Sequence, residues 1–456
     1  MDGSARVTSR RRALVLGGGV AGMAAAFGLA DRGFDVSLLE SRKQCGGRAF
    51  SSEERDTGRH LDNGFHVMLG CYHGMRTLLR RLGTDDGFQQ NRSLAMAYRF
   101  GPGRLASLKL SRLPVPLAMP WALLRLRIAF GSRLRAFRGM AMVVFGAPKH
   151  WTFADWLRRR GQLGEPDQVM WRPLCRAVMN VEPEEVSASD FLVTLREAFM
   201  GRASSAAFWI PTRPWSELLG DPAPRALADA GVTLRTAARV TGLQVAEQRV
   251  TAIELGDERI EVGDDDLVVS AMPWFALRKL IGGGEQSGFG DCAFGSLDSA
   301  PIVCAYFTMR DAANLAEAPC DDGPVVALVG GAPFHFLLRT PGDPVGQFAL
   351  LSGGDRSFDG KSVAEIEAIA KQQLRTFYGD GAFVAALEHA HVRIRKEQHA
   401  TFVAAPNSDA LRPSPGRLPG GPDNFWVCGD WTATGLPATL EGGVRSAEKL
   451  LAGLPR

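Results

Sequence analysis

Three side chains have the chemistry to move a proton beside an apolar ligand: Asp62, His66 and Glu441. An imidazole titrates near neutrality and burial lifts a carboxyl toward the same range, so either type can serve as general acid or base. Asp62 and His66 stand four residues apart in HLDNGFH, a spacing that lets them converge on one side of a turn. Asp62 can equally cap that turn while His66 packs its ring against a ligand with no proton chemistry. Glu441 falls in the first turn of a segment that reads as a helix, where it faces a cavity or, preferably, caps the turn.

These groups need a frame, and the first part of it is Ala13–Arg48. Ala13-Leu14-Val15-Leu16 reads as a strand, followed by a glycine turn, a helix, and a second strand from Asp35 to Glu40. Gly17, Gly19 and Gly22 have G-x-G-x-x-G spacing between strand and helix. Gly17 permits the tight turn, Gly19 lets the backbone approach a pyrophosphate, and Gly22 lets the helix pack closely on the sheet. Val20 and Ala21 open the helix, whose free N–H groups and positive dipole end suit phosphate. Glu40 lies 18 residues after Gly22, where a carboxylate can accept ribose hydroxyls. Ser41, Arg42 and then Gly46-Gly47-Arg48 add a second glycine turn with a fixed cation.

The chain's other end carries a matching piece. Phe425 to Asp430 reads as a strand ending in Gly429-Asp430, and Pro437-Ala438-Thr439-Leu440 leads into a helix. A helix N-terminus there offers free N–H groups and a positive dipole end to a negatively charged group. Short alternating strands fall at Gly231–Val240, Gly242–Val245 and Val250–Leu255, with a buried strand from Asp266 ending at the Met272-Pro273 turn. Strands are also expected at Ile302–Met309, Val325–Val329 and Gln347–Ser352, and a helix at Ser362–Tyr378 with Val363, Ile366, Ile369, Ala370, Leu374 and Phe377 on one face.

Composition narrows the class. With 456 residues the chain is too long for one simple core, and 45% hydrophobic with 22% charged residues is ordinary for a folded protein. The seven cysteines, Cys320 among them, form no C-x-x-C pair, which argues against zinc, iron–sulfur and disulfide frameworks. No metal site is expected, and His389 and His391 read as solvent or sheet residues. No uncharged apolar run of 18 residues marks a membrane span. Residues 87–154, however, contain no Asp or Glu and eleven Lys and Arg, interleaved with large apolar side chains. Pro114, Pro116 and Pro120 should break the approach and Trp121–Phe145 should run as one helix. Such a segment suits an anionic membrane surface better than nucleic acid, for which no binding motif is present. Solvated arginines on an ordinary helix pair remain the simpler reading.

Together the two glycine turns and the C-terminal segment resemble the FAD-dependent amine oxidase and phytoene desaturase superfamily. Trp171-Arg172-Pro173-Leu174-Cys175, Asn180 and Pro183-Glu184-Glu185-Val186-Ser187-Ala188 are similar to the squalene-associated FAD-dependent desaturases, the hydroxysqualene dehydroxylases of hopanoid synthesis. One departure is Phe65 in Gly64-Phe65-His66, where that pattern has glutamine.

The resemblance implies an α/β fold: a discontinuous, glutathione-reductase-like FAD-binding domain of Rossmann type with an inserted α+β substrate domain. The expected segments are 1–86, 222–290 and 400–456 for FAD, and 87–221 and 291–399 for a substrate- and membrane-associated domain. It adds Asn63, Gly64 and the Val240 backbone to the FAD contacts. It implies reductive dehydroxylation of a C30 isoprenoid alcohol, hydroxysqualene, to squalene, in a bacterial cytoplasm and on the inner face of the membrane. The alternatives are an oxidative phytoene-type desaturase and a non-catalytic prenyl-lipid carrier.

Overall fold

The computed structural model describes residues 11–126, 128–282, 288–290, 292–309, 323–331, 333–344 and 346–455; Arg127 and Cys320 lie outside them. β1 (Arg12–Leu16) is buried on both faces, as its unbroken apolar run requires. It pairs in parallel with β2 (Asp35–Leu39) and with Leu267–Ser270. The full order is Val232–Arg235, β2, β1, Leu267–Ser270, Phe425–Val427, Gly416–Arg417, with only the last strand antiparallel. Six strands from three distant stretches of sequence therefore build one sheet.

Helix α1 (Val20–Ala30) covers this sheet beside the C-terminal helix Leu440–Gly453. Small residues allow the two helices to approach closely: a Cβ on Gly28 would lie 2.1 Å from Leu451 Cδ1. Alternate strand residues go to opposite sides, Ala13 and Val15 toward α1 and helix α2 (His73–Leu82), Leu14 and Leu16 toward the rest of the protein.

A second sheet of seven strands joins Ala95–Gly101 and Arg104–Lys109 to strands at Ser299–Thr308, Val325–Leu328, Phe336–Leu338, Gln347–Gly353 and His391–Phe402. One face packs under the helix Val363–Tyr378 through Ile366, Ala370 and Leu374. Val363, expected on that face, is instead 61% exposed, because it is the first helical residue and its turn points to solvent. A small sheet of Met68–Leu69, Phe208–Pro211 and Phe88–Gln90 stitches the two halves together.

The prolines act differently from expectation. Helix α3 (Val115–Arg125) begins at Pro114, takes Pro116 in its first turn and continues through Pro120. A proline in the first turn removes only an N–H that has no helical partner. The single helix expected over Trp121–Phe145 is broken instead at Leu126, whose backbone is extended (φ −66°, ψ 135°), and α4 runs from Phe130 to Met142. Among the described residues no helix is long and apolar enough to cross a membrane, and Cys45, Cys71, Cys175, Cys304 and Cys428 form no disulfide.

Candidate functional site

The two glycine turns meet. Gly17 has φ +107°, open to glycine and strained for other residues, and a Cβ on Gly22 would lie 1.8 Å from Gly17 O. The spacing therefore reflects a steric demand. Gly19 is the N-cap of α1 and gives it no side-chain cap. Gly46 N donates to Gly18 O (2.9 Å), and a Cβ on Gly47 would come within 3.0 Å of Gly19 Cα. A groove with backbone walls follows, and side chains are excluded where a pyrophosphate needs close approach.

Glu40 is buried just past the end of β2. It accepts from Gly18 N (2.7 Å), Arg42 N (2.7 Å) and Ser41 Oγ (3.2 Å). A carboxylate has about four acceptor positions, so capacity remains for ribose hydroxyls. Arg42 folds back, donating to Gly47 O (2.8 Å) while its guanidinium lies over the Phe50 ring. Val20 and Ala21 form the first turn of α1, and Val240 packs partly buried against the core beyond Glu40.

Arg48 joins the ends of the chain. Its Nη2 meets Asp430 Oδ1 at 2.6 Å and its Nη1 donates to Ala400 O at 2.8 Å. Gly429, at φ +150°, donates its N–H to Ser446 Oγ (2.8 Å). After Pro437 and Ala438, Thr439 caps the C-terminal helix, accepting from Gly442 N (3.0 Å) ahead of Leu440. Asn63 Nδ2 reaches Glu397 Oε2 (2.7 Å), and Gly64 lies against Ile302, its Cβ position 3.7 Å from Ile302 Cγ2.

Asp62 and His66 converge on Trp215. Asp62 accepts from Ser51 Oγ (2.5 Å) and Trp215 N (3.2 Å), and the His66 ring meets the Trp215 ring edge-on with centroids 5.9 Å apart. Burial is the largest influence on both. It raises the Asp62 carboxyl to about 6, outweighing the bonds from Ser51 and Trp215. It lowers His66 to about 4, against the opposing bond to Gly64. His66 Nδ1 is 2.5 Å from Gly64 O. A carbonyl only accepts, so Nδ1 carries the hydrogen and Nε2 of the neutral ring is an acceptor. Of the pair, Asp62 is the group able to release a proton near neutral pH, and His66 is the one able to receive a hydrogen bond.

Glu441 stands apart. Buried at 2% exposure, it accepts from Gly74 N (3.1 Å), Met75 N (2.9 Å) and Arg445 Nε (2.8 Å). It caps a helix, but α2 rather than its own, because α2 begins at Tyr72 without a side-chain cap. Its oxygens are held by three N–H donors, which accounts for Glu441 as a cap.

The W-R-P-L-C segment serves packing. Trp171, Pro173, Leu174 and Cys175 are buried, with Trp171 edge-on to Trp156 and Phe153. Asn180, left-handed at φ 57°, ends that helix and donates to Pro301 O (3.3 Å) and Thr401 Oγ1 (2.9 Å). It thereby ties the helix to the strands beside Gly64.

Sequence reading missed Arg412. Its guanidinium is 7% exposed, lies over Phe402, and donates to the carbonyls of Trp431 (3.1 Å), Asp430 (3.4 Å), Thr432 (2.5 Å) and Leu436 (2.9 Å). An arginine in an irregular proline-flanked stretch carries no periodic signal. His391 is also less isolated than expected: its Nε2 lies 3.2 Å from Glu54 Oε2, with Asp56 completing a close group. Glu54 Oε2 is occupied by Asp56 N and Thr57 N (both 3.1 Å) and serves as a turn cap.

The donor set fits FAD: an uncapped helix start, a glycine cradle, an acid beyond the second strand and a second helix start at the other end of the groove. The sequence pattern of flavin-containing amine oxidoreductases matches residues 20–449. The chain is 29% identical over 440 residues to a hydroxysqualene dehydroxylase of Rhodopseudomonas palustris, covering 95% of this chain and 96% of that protein. It is 27% identical over 451 residues to the hydroxysqualene dehydroxylase of Sinorhizobium fredii, again covering 95% and 96%. An oxidoreductase from Methanosarcina mazei shares the fold, with a TM-score of 0.73 at 13% identity over 97% of this chain and 100% of that one. The chain is an FAD-dependent oxidoreductase, and it belongs to the flavin-containing amine oxidoreductase family.

Proposed function

We propose that the protein reduces hydroxysqualene to squalene, releasing the hydroxyl as water. The observation that supports this most is likeness to hydroxysqualene dehydroxylases along nearly the whole chain. The Ala13–Arg48 turns, Asn63, Gly64, Val240 and the Gly429–Leu440 segment would hold FAD, which when bound and reduced would supply the hydride for an allylic carbon.

The chain's own residues must bind an apolar alcohol, exclude water and provide one proton. Asp62 is the proton source: its carboxyl, raised to about 6 by burial, is partly protonated near neutrality. Ser51 and the Trp215 backbone fix its orientation. His66, neutral with Nε2 as acceptor, orients the departing hydroxyl by accepting a hydrogen bond from it. Arg48 and Arg412 hold the loop after Gly429 in register with the N-terminal turns.

The same reading places the protein in a bacterial cytoplasm on the inner face of the membrane, in the supply of squalene for hopanoids. It also assigns 1–86, 222–290 and 400–456 to the FAD-binding domain and 87–221 and 291–399 to the substrate domain. Anaerobic incubation of the purified, chemically reduced flavoprotein with hydroxysqualene tests the activity. Squalene should accumulate in proportion to flavin oxidised; its absence sinks the proposal.

A further inference from the structure

Ten of the thirteen exposed large apolar side chains among the described residues fall between Leu105 and Phe145. They are arranged on faces. On and before α3, Leu113, Leu117, Trp121 and Leu124 point outward, while Val115, Ala118, Met119, Ala122 and Leu123 fill the core. On α4 and the turn after it, Phe130, Leu134, Phe137, Val144 and Phe145 form the outer stripe. The exposures are large: Trp121 66%, Phe130 71% and Phe145 75%. Helix α3 is thus apolar all round while packed on only one side, an arrangement water does not favour.

Charge identifies what covers this face. Arg112, Arg125, Arg133, Arg135 and Arg138 stand among these stripes, and no carboxylate of the described residues pairs with any of them. The whole interval 87–154 has no acid of its own. A second copy docking through the same face would add positive charge and no carboxylate from this interval. An anionic bilayer supplies phosphate groups for the arginines and hydrocarbon for the aromatic and aliphatic tips.

We propose that the α3–α4 face inserts at the head-group boundary of an anionic bilayer, and that the protein takes its hydrocarbon substrate from that bilayer. This rests on the isoprenoid reading for the substrate alone; the docking itself does not need it.

The test uses the full-length flavoprotein and vesicles of phosphatidylcholine, with or without 30% phosphatidylglycerol. Wild type should sediment with the anionic vesicles and bind the neutral ones at least tenfold more weakly. A Trp121→Ser, Phe130→Ser, Phe145→Ser variant should keep its flavin spectrum and its turnover in detergent micelles, yet lose at least tenfold in vesicle binding and in turnover of vesicle-embedded hydroxysqualene. Arg125→Glu, Arg138→Glu, a milder surface change, should weaken anionic binding alone. Wild type that stays in the supernatant overturns the proposal. So does a wild-type dimer, seen by light scattering, that the serine variant converts to monomer, since a second copy would then be the occupant. Wild type that binds vesicles but makes no squalene even in micelles refutes the dehydroxylase reading and leaves the docking supported.

Discussion

Helices α1 and α2 both begin without a side-chain cap of their own, and the two ends are used in opposite ways. At α1 the N-cap is Gly19, the next turn of chain is also glycine, and the free N–H groups face a groove. At α2 the N-cap is Tyr72, and Glu441 arrives from a helix more than 360 residues away to accept from Gly74 N and Met75 N. Each end has the same electrostatic demand for negative charge. The protein satisfies one internally and leaves the other for a ligand. An unmet demand beside glycines marks a binding site, and a met one marks architecture.

The largest expected effect comes from closing the open end. Gly19 has extended backbone (φ −74°, ψ −177°), and a Cβ there would find its nearest neighbour 3.7 Å away, so Gly19→Asp fits and can cap α1. Its carboxylate would occupy the place of the pyrophosphate. FAD affinity should fall at least about 1,000-fold, about 4 kcal/mol, while the thermal midpoint of the apoprotein stays level or rises. Titration of apoprotein with FAD checks this; retained affinity would break the distinction.

Next come the two groups beside Trp215, which titrate in opposite directions. Asp62 has its carboxyl raised to about 6 in the folded state, so between about pH 4 and 6 the fold holds a proton that the unfolded chain releases, and stability falls as pH rises. His66 is lowered to about 4, so between about pH 4 and 6.5 the unfolded chain holds the extra proton, and stability rises with pH. Each amounts to about 3 kcal/mol, and in wild type they oppose each other. Urea midpoints across this window should therefore rise more steeply with pH in Asp62→Asn and fall in His66→Gln. Asp62→Asn should also lose the decline in turnover as pH rises through about 6.

Opening the closed end is somewhat milder. Glu441→Ala leaves two buried N–H groups and Arg445 without their acceptor, and should lower stability by about 2–3 kcal/mol. Flavin binding at low temperature should persist, because α1 is untouched. Full stability combined with lost turnover would instead favour Glu441 as the acid. The smallest effect belongs to Arg412→Lys, which keeps the charge but cannot span four carbonyls; FAD affinity should weaken by about 1–2 kcal/mol, read from the FAD titration.

Much of the cofactor side was legible because its reasons are local. A glycine at positions 17 and 22 answers to a turn and a backbone oxygen within the same few residues, and spacing records that. The helix Val363–Tyr378 and the strand at Gln347 were readable for the same reason, since periodicity is a local record of burial. The break between α3 and α4 was not, since three prolines suggested a disrupted approach where the chain uses two of them to start a helix. Glu441 was read as a cap from its place in a first turn, but the choice of helix depends on how α2 and the C-terminal helix pack.

The sequence by itself determined the steric cradle, the acid beyond β2 and the acid-free interval, since each follows from residue type and spacing along one stretch of chain. The tertiary structure alone decided how each carboxylate is held. Asp62 and Glu441 are the same kind of group, and only their surroundings separate them: Asp62 has one hydroxyl and one N–H against strong desolvation, and Glu441 has three N–H donors. Those partners come from residues far apart in sequence, so the difference exists only once the chain has folded.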